Sequence, residues 1–309
     1  MNKRSLFAAL VATLTLMPTA SWAHVKWFVD QPTLDIEPFK INEPAVMIWT
    51  AAFIAALIIA YILQRKLQAP EWLVLFGKRY KEGILWTVHF LIGLWLIINS
   101  FTGALFVPTL ELSAGLEPLL WLQGIAGVLI VARRYARLSA LLLVILYISA
   151  SLSLSWLGMT EHLFILGSAL WLIISNEGHP ANDWAITALR ITAGLSLILL
   201  GFQEKLIDPS LSATFLSTHD WNFMTALGME WFNDRLFILS AGMTEILIGV
   251  IYLVGFITRI NTLALAVVLL STAALLGINE LIGHLPIFAM AILFLVYGSG
   301  QRAVIGKRR

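Results

Sequence analysis

The chain contains no cysteine in 309 residues. That absence excludes disulfides, thiolate metal sites, iron–sulfur clusters and thiol redox catalysis carried by this polypeptide, so any redox role needs a partner or a bound cofactor. Charge is scarce as well: 12% of residues are Asp, Glu, Lys or Arg, against roughly 25% in a soluble domain. A soluble globular protein is thereby excluded. Long basic runs are missing, and with a net charge of +2 nothing supplies the electrostatic footprint that nucleic acid demands. Nucleic acid is not an expected partner. What is abundant is apolar side chain, 59% of residues, with a mean hydropathy of +0.86. Apolar stretches recur from residue 44 to the end with only short polar breaks. The lipid bilayer is the expected solvent for most of the chain, and the expected fold is an all-α polytopic membrane protein.

Residues 1–23 combine a basic start (Lys3, Arg4), an apolar stretch from Leu6 to Met17, a helix-breaking Pro18 and the small residues Ser21 and Ala23. This is the pattern of a secretory signal peptide cleaved after Ala23 on a bacterial inner-membrane protein, and it places His24 and the segment 24–43 in the periplasm. Nine membrane helices are expected: an extra one at 44–63, then spans near 83–100, 118–132, 138–157, 162–176, 185–202, 237–256, 261–278 and 283–298. Under that arrangement Arg65, Lys66, Lys78, Arg79, Lys81, Arg133, Arg134, Arg137, Arg190, Arg259 and the basic tail at 299–309 lie inside, leaving Lys26, Lys40, Lys205 and Arg235 outside. This asymmetry follows the positive-inside tendency and puts the C-terminus in the cytoplasm. Acids distribute the other way, so charge-bearing chemistry is expected on the periplasmic face.

An internal duplication is legible in the spacing. A shift of 101 positions pairs Gly93 with Gly194 and Phe101 with Phe202, and sets His89 against Arg190. A shift of 122 pairs Gly127 with Gly249, Arg137 with Arg259 and His162 with His284. The change of shift corresponds to an insertion in the second outer loop. Two parallel four-helix units, 83–176 and 185–298, are therefore expected after the extra helix, with sites where they meet. No span shows a Gly/Pro-broken pair of the kind that marks many transporter midplane sites, which disfavours a plain transporter.

Glu245 falls about two turns inside the seventh span, where a carboxylate needs a partner or a proton. It reads either as a proton acceptor or quinone hydrogen-bond partner, or as a packing contact bonded to a neighbour such as Thr244 or Lys205. Arg190 near an inner helix end reads as an interfacial anchor, and His89 at the matching place as a packing histidine. Glu280 and His284 stand i, i+4 at an outer helix end, with Glu161 and His162 at the corresponding place in the first unit. Such pairs suit shared metal ligation or a carboxylate orienting an imidazole, and equally a helix-capping salt bridge. His24, once it becomes the N-terminal residue, could chelate copper through its amine and imidazole, with His162, His219 and His284 on the same side. It reads equally as part of an exterior segment held on the membrane surface by Trp27 and Phe28.

Arg190 to Gly194, then Gly201-Phe-Gln-Glu204-Lys205, then Gly242-Met-Thr-Glu245 to Gly249, Gly255 and Thr258-Arg259 resemble the DoxX-like family of four-helix membrane proteins. The likeness covers about the last third of the chain. The first unit resembles a degenerate copy, with Gln123 where Glu245 stands and Gly103 and Ala104 in place of Glu204 and Lys205. The resemblance implies quinone-linked redox work as a subunit or anchor, with a periplasmic redox partner. On these readings Glu245, Glu204 and Lys205 are the candidate catalytic residues. Arg190, Glu280 and His284 are candidates for holding a quinone, and His24, His162 and His284 for holding copper.

Overall fold

The computed structural model describes residues 28–29, 31–107, 115–153, 156–175 and 182–300. The signal-peptide region, His24 and the basic tail after residue 300 lie outside the described residues. Among those described, the chain forms helices and turns without a β-strand. In order they are α1 (Pro44–Lys66), α2 (Glu71–Arg79), α3 (Lys81–Thr102), α4 (Pro118–Val131), α5 (Ala136–Ser153), α6 (Trp156–Met159), a 3₁₀ turn (Thr160–His162) and α7 (Phe164–Ile174). There follow α8 (Asp183–Gly201), a π turn (Phe202–Ile207), α9 (Ser210–His219), α10 (Phe223–Ala226), α11 (Asp234–Val254), α12 (Thr258–Leu276), α13 (Ile278–Gly283) and α14 (Leu285–Tyr297).

Local chemistry starts the long helices where they start. Proline opens the first turns of α1 and α4, where its missing N–H costs nothing. Asn182 caps α8 by accepting from the Trp184 N–H, and Asn233 caps α11 by accepting from the Leu236 N–H. Apolar runs free of interior proline then carry the helices across.

Among the described residues six helices are long and apolar enough to cross a membrane: α1, α3, α5, α8 with its π turn, α11 and α12. The pair α6–α7 passes only when joined through the 3₁₀ turn, across a 54° bend. The helices α4 and α14 are apolar but have 14 and 13 residues, roughly 20 Å each against a ~30 Å hydrocarbon core. The structure thus supplies six helices of crossing length, seven with the bent pair, where the sequence reading expected nine. The chain turns at the 3₁₀ segment before α7 and again at His284 between α13 and α14, at or just before the residues where the spans 162–176 and 283–298 are expected to begin.

Eight helices close a ring in which each packs on the next, in the order α3, α4, α5, α7, α8, α11, α12, α14 and back to α3. Two contacts in the ring are backbone-close. A Cβ on Gly93 would lie 2.6 Å from the Gly127 carbonyl oxygen, and one on Gly194 would lie 2.6 Å from that of Gly249. The α3/α4 and α8/α11 crossings therefore both depend on glycine, as lipid-embedded helices without a hydrophobic drive between them often do. Trp95, Trp171, Phe294 and Leu143 fill the interior. The helix α1 stands outside the ring against α11, burying Val46 and Ala60 and leaving Ile54, Ile58 and Ile62 exposed. Apolar residues turned outward in this way suit a hydrocarbon solvent.

Candidate functional site

The end of α8 does not stop as an ordinary helix. It widens into the π turn, a form that recurs at functional sites, and this turn carries Glu204 and Lys205 into the interior while Phe202 and Ile207 stay exposed. Close approach to α11 makes the meeting possible. A Cβ on Gly242 would lie 2.9 Å from Cβ of Lys205 and 2.4 Å from Cδ1 of Leu206, so the lysine stem crosses α11 where that helix has no side chain. One turn further along α11, Glu245 faces the same space. The Lys205 ammonium lies 3.0 Å from Oε1 of Glu245 and 3.9 Å from Oε2 of Glu204, with all three side chains at most 2% exposed. Glu161, 3% exposed, lies close enough to act on both Lys205 and Glu245 through charge. Four buried ionisable groups, three acids and one base, thus share one neighbourhood. Fully ionised, the four would carry two more negative charges than positive ones in a low dielectric, where charge is costly.

The cluster is covered on its outer side. The Ser212 hydroxyl of α9 donates to the Glu204 carbonyl at 3.2 Å. The segment before α1 then straps α9 in place: Thr33 and Leu34 N–H groups donate to the Thr214 hydroxyl oxygen, the Ile36 N–H to that of Ser210, and the Phe39 N–H to the Leu206 carbonyl. Arg235 fixes the strap through Glu43 at 2.9 Å and lies over the Phe39 ring. The long connection between Glu204 and Arg235 is therefore a packed cap, with Phe215, Phe232 and Phe237 at its centre.

On α4 the buried polar residue is Gln123. It is fully buried and spends its amide on backbone: its Oε1 accepts from the Phe106 N–H at 2.8 Å, and its Nε2 donates to the carbonyls of Leu96 and Ala104 at 3.3 and 3.0 Å.

Arg190 does not reach an interface. It is fully buried, and its guanidinium donates to the carbonyls of Tyr252, Leu253 and Ser299, tying the C-terminal ends of α11 and α14 together. Gly255, at φ +77°, makes room: a Cβ there would lie 2.8 Å from the guanidinium. Its donors are thus largely committed to the fold. His89 donates from Nδ1–H to the Leu85 carbonyl oxygen at 2.8 Å and packs on Trp171.

Glu280 and His284 form a separate buried pair at the α13–α14 break. Thr272 donates to the Glu280 carboxyl at 3.0 Å, and His284 Nδ1 lies 2.9 Å from the Glu280 backbone carbonyl and 3.5 Å from its carboxyl. Burial pushes the Glu280 carboxyl up to about 7. His162 is buried beside Phe164, and His219 stacks on Phe215 within the cap. Among the described residues no group of three or more His, Cys, Asp or Glu side chains could hold a metal ion. His24, the residue on which copper chelation turns, lies outside them.

Sequence reasoning identified Glu245, Glu204 and Lys205 and named Lys205 as a partner of Glu245. It missed Glu161 as a neighbour of this group, since it paired that residue with His162. Comparison with protein families, with curated proteins and with solved structures finds no match for this chain.

Proposed function

We propose that this chain is a DoxX-like inner-membrane protein whose second four-helix unit holds a proton-exchanging centre for a quinone-linked redox system, in which it acts as subunit or anchor with its active face toward the periplasm. In this reading the bent and short helices complete nine crossings. The ring is two parallel copies of one unit, α3–α7 and α8–α14, and the glycine pairs Gly93–Gly127 and Gly194–Gly249 are the same contact made twice.

The observation that carries the reading is the buried Lys205–Glu245 pair with two further acids beside it. A lone structural ion pair needs one acid. Three acids around one base make a group whose net charge is set by the protons it holds, and a bound proton whose site is offset by a lysine can be released when the local charge changes. Quinone reduction and quinol oxidation move protons together with electrons, so a membrane-buried proton donor and acceptor is the contribution a cysteine-free chain can make to them.

The test is the redox state of the membrane quinone pool in host cells lacking the chain and complemented with wild type or Glu245→Gln. Loss of the chain should shift the pool, wild type should restore it, and Glu245→Gln should accumulate in the membrane at wild-type level without restoring it. Full restoration by Glu245→Gln, or an unshifted pool in its absence, overturns the reading. A second reading, proton-coupled transport through the ring, is favoured by the two broken helices in matching positions. It predicts uptake of solute into proteoliposomes that Glu245→Gln abolishes, with the quinone pool unaffected.

A further inference from the structure

The acid cluster is assembled from both halves of the ring. Lys205, Glu204 and Glu245 belong to the α8–α11 side, whereas Glu161 arrives on the 3₁₀ turn between α6 and α7. That turn packs against α8. It is fastened to the π turn by a hydrogen bond from Gln203 Nε2 to the Thr160 hydroxyl at 3.1 Å, a contact that is half-buried. Directly behind this polar seam the chain places one carboxyl on each side: Glu161 follows Thr160, Glu204 follows Gln203, and both are 3% exposed. His162 is the next titratable group on the same turn. The seam therefore sets a half-buried, neutral polar contact next along the chain to both buried acids.

The inner side of Glu161 has a second feature. It lines a cavity between α7, α8, α11, α12 and α14, walled by Phe164, Leu200, Tyr252, Met290 and Ser196. With a volume of about 30 Å³ it has room for water but not for a quinone ring, and Glu161 with the Ser196 hydroxyl offers the polar atoms a water needs. Glu161 is thus the member of the cluster that borders both the polar seam and a water-sized space. The other buried acids lack one or the other: Glu204 and Glu245 are not among the residues lining that cavity.

We propose that Glu161 carries protons between the Thr160–Gln203 seam and the Lys205–Glu245 pair, so that the proton-exchanging centre is a joint product of the two helix units. The proposal rests on the proton-exchange reading of the cluster. In the step itself the Glu161 carboxylic acid gives its proton to the Glu245 carboxylate; Glu161 is left ionised, Glu245 becomes the acid, Lys205 stays an ammonium and no electron moves. The next proton reaches Glu161 through water admitted at the half-buried seam, since the Thr160 hydroxyl itself donates to the Leu157 carbonyl at 2.6 Å.

Infrared spectra of the full chain in lipid nanodiscs, followed after transfer to deuterated buffer, test this directly through the carbonyl stretch of protonated buried carboxyls. Wild type should show such a band and exchange it rapidly. Glu245→Gln should remove or displace the band; if it does not, the underlying reading of the cluster fails. Glu161→Gln should keep a band from the remaining acids but slow its exchange about a hundredfold, the lower end of what a positioned acid–base group contributes. Glu161→Asp should recover much of the rate. Gln203→Leu, which leaves all four charged groups in place but makes the seam apolar, should slow exchange independently. Wild-type exchange rates in both Glu161→Gln and Gln203→Leu, with the band still dependent on Glu245, would overturn the role of Glu161 while leaving the cluster reading standing.

Discussion

The two halves of the ring solve one packing problem with opposite chemistry. On α4 the interior position is filled by Gln123, a neutral amide whose oxygen and nitrogen are both spent on backbone groups of residues 96, 104 and 106. On α11 it is filled by Glu245, whose Oε1 faces Lys205 at 3.0 Å and whose Oε2 is buried without a hydrogen-bond partner. A satisfied amide stabilises its half and does little else. A carboxylate held by one lysine and crowded by further acids is costly as structure alone. The difference shows that a shared helix crossing does not dictate what it encloses.

Breaking the crossing itself should erase both halves alike. Gly93→Leu and Gly194→Leu each drive side-chain carbon into a facing carbonyl oxygen that sits 2.6 Å from the Cβ position. Each should cost about 5 kcal/mol or more, the range reserved for single changes that break a core, and should abolish recovery of monodisperse protein in size-exclusion chromatography. A well-folded Gly93→Leu beside a lost Gly194→Leu would show that the two crossings are not equivalent.

Changing the enclosed chemistry should separate the halves. Lys205→Met removes the ammonium beside Glu245 and Glu204 and should cost roughly 3–5 kcal/mol, as breaking a buried ion pair does; adding Glu245→Gln to it should recover much of the loss in thermal denaturation. Gln123→Glu should cost less, about 1–3 kcal/mol for the donor withdrawn from two buried carbonyls. Equal losses for Lys205→Met alone and for the double variant would mean that no charge is being balanced at Glu245.

Much of this comparison was legible from sequence, and the reasons differ from residue to residue. The offsets of Gly93 to Gly194 and of Gly127 to Gly249 were visible in the sequence, but that Gly93 meets Gly127 and Gly194 meets Gly249 was not, because those contacts join separate helices. Glu245 was visible because a carboxylate deep in an apolar run has no local explanation. Glu161 was hidden as a cluster member, since its partner is brought to it by the ring and not by spacing along the chain. The π turn was hidden too: Glu204 and Lys205 are adjacent, and an ordinary helix would not bring both so fully inside. The helix breaks at residues 160–163 and at His284 fall at the starts of the expected spans 162–176 and 283–298, so spacing bounded those spans without showing how the chain bends there. Arg190 was read as an anchor from its position near a helix end, although its actual partners, the carbonyls of residues 252, 253 and 299, lie far along the sequence.

The Glu280 pair sharpens the contrast between a buried acid with a lysine and one without. Burial raises the Glu280 carboxyl from about 4.5 to about 7, and in the unfolded chain it titrates near the ordinary value. The folded form therefore holds the proton more tightly, so this stabilisation is fully present below about pH 4.5 and is lost as pH rises through about 7. The melting temperature should fall by roughly 5 °C over that interval, and Glu280→Gln should remove this part of the pH dependence. A wild-type melting temperature that climbs from pH 4.5 to 7, with Glu280→Gln climbing in parallel, would show that Glu280 is ionised in the fold.

The smallest effect is expected where the halves differ most in appearance, at His89 and its counterpart Arg190. Arg190 ties the ends of two helices through carbonyls that would otherwise be orphaned at their C-termini. His89 makes one side-chain contact, to the Leu85 carbonyl one turn earlier in its own helix, and otherwise rests its ring 5.0 Å from that of Trp171. Phenylalanine keeps the ring on Trp171 and gives up only that bond, and the Leu85 carbonyl still accepts from the helix backbone. His89→Phe should therefore change stability by less than about 1 kcal/mol, a shift of roughly 3 °C or less in melting temperature, and leave the quinone pool at its wild-type redox state. A larger loss of stability, or a shifted pool, would make His89 a working residue of the first half and erase the view that only the second half encloses chemistry.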